Sequence, residues 1–140
     1  MADREPTWQP LSAVGMLTAH IGEGITLARD QLTMLARARD RPYLLDDATV
    51  TRLRAAFENT RKDTELFAEQ GRRWQAAAAD PTTRAAVDGY LTLVAEERAL
   101  VDQVLAVADE LAAGTIDTVL ATSDLELGLE ALFGHRPPRP

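Results

Sequence analysis

Apolar positions recur at steps of three and four along three long stretches of the chain. In the clearest of them Val50, Leu53, Phe57, Thr60, Thr64, Phe67, Gly71 and Trp74 follow one another at alternating steps. A period of 3.5 is the stripe that one helix presents to another. An earlier stretch carries Val14, Leu17, Ile21, Ile25, Ala28, Leu32 and Leu35 in the same pattern, and a later one Val87, Tyr90, Val94, Glu97, Val101, Val104, Ala108 and Leu111.

The punctuation between the stripes sets the element boundaries. The first helix is expected from about Leu11 to Arg39. Pro42 ends it, because proline disfavours helical backbone in the residue before it. Asp46 or Asp47 is expected to cap a second helix that continues to about Ala77. Asp80-Pro81, a capping side chain followed by proline at the first helical position, predicts a third helix to about Ala113, with Gly114 at its C′ position. Thr115 to Ala121 is expected to form two turns. Ser123 and Glu126 have capping-box spacing and predict a last helix from about Asp124 to Phe133, stopped by Gly134. Residues 1–10 read as a loose polar arm with Trp8 as its pin, and residues 135–140 as a disordered Pro/Arg tail.

The fold class that follows is all-α: a long antiparallel three-helix bundle completed by one or two short C-terminal helices, resembling a four-helix bundle in plan. Residues 11–134 are expected to make one domain, and 140 residues suffice for one core.

Composition narrows the function classes. Net charge is −7, with 22 acidic against 15 basic residues, and an acidic chain is repelled by phosphate backbones. The arginines form no stripe with aromatics between them, so no nucleic-acid partner is expected. There is no cysteine, which removes thiol chemistry and zinc–thiolate sites. No unbroken apolar run approaches the ~20 residues of a membrane span, and no signal-peptide pattern follows Met1. The expectation is a cytoplasmic protein with no membrane partner.

Candidate chemistry lies in the interruptions of the stripes. Glu97 falls on the third stripe, Thr60 and Thr64 on the second, and His20, Gly22, Glu23 and Gly24 near the middle of the first helix. Pairing the helices as antiparallel hairpins puts Gly24 near Lys62 and Thr60 near Glu96, so all the interruptions fall near one level. Three arrangements satisfy that pattern. His20, Thr60, Thr64 and Glu97 line a small polar cavity for a ligand. They form a satisfied buried network that fixes helix register. Or Glu97 sits at the stripe edge in water, while the core uses Leu91, Leu105 and Ala112.

No catalytic residue and no cofactor is predicted. Two histidines, one of them in the tail, fall short of the paired Glu-x-x-His motifs of a di-iron bundle, so no metal is expected either. No phosphate-binding glycine loop or nucleophile elbow is present. The predicted last helix has Leu125, Leu129, Leu132 and Phe133 on one side and Leu127 on another. A helix apolar on two sides is usually sandwiched, which points to an interface. The function expected first is a non-enzymatic interaction or structural module, a homodimer or a dock for another helical protein. The alternative is a bundle that binds a small molecule, or an unfamiliar enzyme, through the mid-level polar layer.

Overall fold

A computed structural model describes residues 6–122 of the chain. They form three long helices: α1, Val14–Ala38, led in by a 3-10 turn at Leu11–Ala13; α2, Asp47–Ala77; and α3, Pro81–Ala112. No strand occurs among the described residues. At 1.5 Å per residue the helices are roughly 40–50 Å long.

Local chemistry sets each start. The Asp46 side chain accepts a hydrogen bond from the Thr49 amide (2.7 Å), and Asp80 does the same for Thr83 (2.8 Å), each satisfying an orphan donor of a first turn. Hydrogen bonds from the Thr49 hydroxyl and amide hold the Asp46 carboxyl below its ordinary value, and those from the Thr83 amide and hydroxyl do so for Asp80. The α3 terminus departs from expectation. Gly114 does not adopt the left-handed conformation of a C′ residue, and Ala113 before it is right-handed (φ −71°, ψ −17°). Gly114 is required for a different reason: a β-carbon there would lie 2.7 Å from Cγ of Pro42, which packs against it.

The arrangement also corrects the hairpin pairing. α3 is central. α1 and α2 each pack along it and barely touch one another. The exposed ion pairs Arg29–Glu96 and Arg39–Glu110 show α1 running parallel to α3. Arg61–Asp102 (2.9 Å) and Arg54–Asp109 (2.5 Å), one heptad apart on each helix, show α2 running antiparallel to it. Gly24 therefore meets Glu97 of α3, and not Lys62 of α2. Glu96 turns to Arg29 of α1, and not to Thr60, because sequence neighbours on a helix point about 100° apart.

All eight residues of the predicted α3 stripe are the buried residues of that helix. They divide the core in two. The upper half gathers Ile21, Ile25, Trp74, Val87, Tyr90 and Val94, and the lower half Ala28, Phe57, Val101, Val104, Ala108 and Leu111. The stripe-edge alternative is thereby overturned: Glu97 is 3% exposed, while Leu91, Leu105 and Ala112 are only partly buried.

The upper core is closed by the end of the arm. The Gln9 carbonyl accepts from the Trp74 indole (2.9 Å), and its amide donates to Gln70 Oε1 (2.6 Å). The Arg73 guanidinium stands 4.2 Å from the centre of the Trp8 ring. At the other end, residues 116–122 are helical and stitched to the start of α2. Ile116 donates to the Leu45 carbonyl (2.8 Å), and the buried Thr115 hydroxyl donates to Asp47 (2.6 Å). The expected interface residues Leu125, Leu127, Leu129, Leu132 and Phe133 lie outside the described residues.

The segment Leu11–Ala38 is long and apolar enough to cross a membrane by length and composition, with a mean hydropathy of 1.2 over its best window. A search for unbroken apolar runs misses this, because glycines, threonines and charges interleave the stripe. Its apolar stripe is buried at Val14, Ile21, Ile25, Ala28 and Leu35.

Candidate functional site

Because α1 and α2 flank α3 without closing on each other, a cleft runs between them, and Glu97 forms its floor. The recess at this level has a volume of about 340 Å³. From α1 it is lined by His20, Glu23, Gly24 and Leu27, and from α2 by Phe57, Thr60, Asp63 and Phe67.

The sequence candidates separate here. His20, Thr60 and Glu97 meet in the recess. Thr64 does not line it. Thr64 is fully buried and its hydroxyl donates to the Arg61 carbonyl one turn back (2.6 Å), so it is satisfied within its own helix. The Thr60 hydroxyl is likewise bonded to the Ala56 carbonyl (3.1 Å). His20 is exposed on the lip, with its ring edge-on to Phe67 at 5.8 Å between centroids.

Glu97 differs from all of these. Among the described residues no donor hydrogen-bonds its carboxylate, neither oxygen is sealed away, and the residue lines the recess. Burial pushes the Glu97 carboxyl above its ordinary value. His20 opposes that shift by attraction, and Asp63 adds to it by repulsion. Two turns above, the Tyr90 hydroxyl donates to the Phe67 carbonyl (2.8 Å), and burial, with the Glu97 charge second, pushes its phenol up to about 12.

Gly24 makes this placement possible. A β-carbon at that position would overlap the Glu97 carboxylate, lying 3.0 Å from its Cδ. A helix-interior glycine sacrifices about 1 kcal/mol of helix propensity, and the gain here is room for an acidic group against the α1 backbone. Gly22, one residue pair away, has open space around it.

Asp63 and Gly24 are the participants that reading stripes alone does not identify as partners of Glu97. Asp63 had a usable signal: it lies three residues after Thr60 and four before Phe67, on the same side of α2. For Gly24 and Glu97 the sequence indicated a shared level but not the contact, which depends on α1 and α3 being neighbours.

Two of the larger surface grooves lack such a feature. One, of about 690 Å³ between the starts of α1 and α3, is lined by Val14, Gly15, Ala86 and Gly89 among others and has no charged lining residue. The other, of about 520 Å³ along α2 and α3, is floored by the exposed ion pairs of Arg54 and Arg61. Among the described residues no three His, Asp or Glu side chains stand close enough together to hold a metal ion. The chain matches no protein-family model, and no curated protein or solved structure matches it.

Proposed function

We propose that this chain is a non-enzymatic helical bundle that binds a small molecule in the recess between α1 and α2. One observation carries the reading: Glu97 is 97% buried, has no hydrogen-bond donor among the described residues, and opens onto a preformed recess. A carboxylate that keeps only a small part of its contact with water is costly unless it is paired. A bound molecule that supplies the missing donor removes that cost. The recess has the character of small-molecule sites, with mostly apolar walls and a few convergent polar groups. Among the described residues no nucleophile paired with a base lines the recess beside Glu97, so binding is proposed and not turnover.

The test is a fragment titration followed by amide NMR. Fragments that bind should shift Gly24, Thr60 and Glu97 together, and Gly24→Ala should abolish the shifts. If no fragment of any charge moves those signals, the reading fails.

A second reading, self-association, is favoured by a separate observation. Met16, Leu27 and Met34 are exposed at 65%, 58% and 61%. Their spacings of eleven and seven residues put them on one line along α1. Leu27 lines the recess, so that line is the lip of the cleft on the α2 side. A two-fold copy laid antiparallel there sets Met16 against Met34. Molar mass at micromolar concentration tests it: a dimer should revert to monomer in Leu27→Glu, and a wild-type monomer overturns it.

A further inference from the structure

We infer that the recess takes a small organic cation, a primary ammonium or a guanidinium on a short apolar stem. This rests on the reading of the recess as a ligand site and adds the chemistry of what enters it.

Charge comes first. Glu23 from α1, Asp63 from α2 and Glu97 from α3 face the same 340 Å³, with His20 as the only basic group in the lining. An anion entering the recess meets three carboxylates. A cation meets attraction from all three, and at the floor it meets the Glu97 carboxylate, which no donor among the described residues hydrogen-bonds. Hydrogen bonds between a charged donor and a desolvated carboxylate are the strong ones.

Shape comes second. The walls that flank the carboxylates are Leu27, Phe57 and Phe67. They suit an alkyl stem. A bare divalent ion is disfavoured by the spacing, since no three ligating side chains among the described residues come close enough together to coordinate one. The volume lies at the small end of the ~300–1,000 Å³ typical of ligand pockets. That fits a head group with a few carbons.

The experiment uses the full chain at neutral pH and physiological salt, where weak attraction to the overall charge is screened. Four probes of matched length are titrated by calorimetry and amide NMR: n-butylammonium, n-butylguanidinium, n-butanol and butyrate. The two cations should bind and shift Gly24 and Glu97, and the alcohol and the acid should not. Glu97→Gln should weaken cation binding by about tenfold or more. Asp63→Asn, a change at an exposed position that leaves the core intact, should weaken it by a smaller factor. If butanol or butyrate binds as well as the cations, the charge class is wrong and the ligand site stands. If cations bind but both variants bind them equally well, the cations sit elsewhere and the inference is overturned. If none of the four probes moves the recess signals, this inference fails, and only the broader fragment titration then decides whether the recess is a ligand site at all.

Discussion

The lower core and the level above it are built from the same heptad positions of the same helices, and they reach different ends. Below, Ala28, Phe57, Val101, Val104 and Ala108 close on one another as an apolar seam. One turn higher the same stripes deliver Gly24, Thr60 and Glu97, and the helices stand around an opening. Helix periodicity decides which residues face inward, and the side chains at each level decide whether that interior is filled. A bulky apolar set closes the gap. A glycine, a hydroxyl already bonded to its own helix and a carboxylate leave it open.

Mutations at the two kinds of level should therefore behave oppositely. The largest effect belongs to the apolar layers. Trp74→Ala removes a buried indole, its edge contact with Tyr90 at 5.1 Å and the anchor for Gln9. Denaturant unfolding should show a loss of about 3–5 kcal/mol. A loss under about 1 kcal/mol would mean that the apolar layers are as loosely filled as the recess.

At the middle level the sign should reverse. The folded-state value of Glu97 is raised, so the native chain holds that proton more tightly than the unfolded chain does. Stability is therefore greatest below the ordinary glutamate value and falls as pH rises from there toward the raised folded value. Glu97→Gln removes this dependence. Unfolding curves at neutral pH should show the variant more stable, with the advantage shrinking as pH falls toward 4. A variant that is much less stable at neutral pH would make Glu97 part of a satisfied network and remove the contrast.

A glycine pair sharpens the comparison further. Gly22→Ala, in open space, should gain about 0.5–1 kcal/mol from helix propensity and reduced unfolded-state entropy. Gly24→Ala should forfeit that gain, because its methyl group displaces the Glu97 carboxylate. Equal stabilisation by both would show that the carboxylate moves aside freely. The smallest effect should come from the surface. A double-mutant cycle on Arg61 and Asp102, both about half exposed, should return less than about 1 kcal/mol.

Much of this was legible in the sequence. The α3 stripe from Val87 to Leu111 matches the buried set residue for residue, Glu97 included, because on a central helix burial follows periodicity alone. The two aspartate caps were equally readable, since their chemistry is local. What escaped was everything set by which helices are neighbours. Gln70 is buried and exchanges two hydrogen bonds with the backbone of Gln9 in the arm, and no spacing within α2 announces that. The expected meeting of Gly24 with Lys62 assumed that consecutive helices pack together. Here α1 skips its successor and packs on α3. Gly114 was read as a terminator because glycine so often ends helices, whereas its role is contact with Pro42, seventy-two positions earlier in the chain.

The central position of α3 also shapes how the protein is made. A nascent chain that has emerged as far as Ala77 carries two amphipathic helices with no surface to cover either stripe. Short-range helix formation can begin at once, yet consolidation waits for Pro81 onward to leave the ribosome. Through that interval both apolar stripes wait for the surface that covers them.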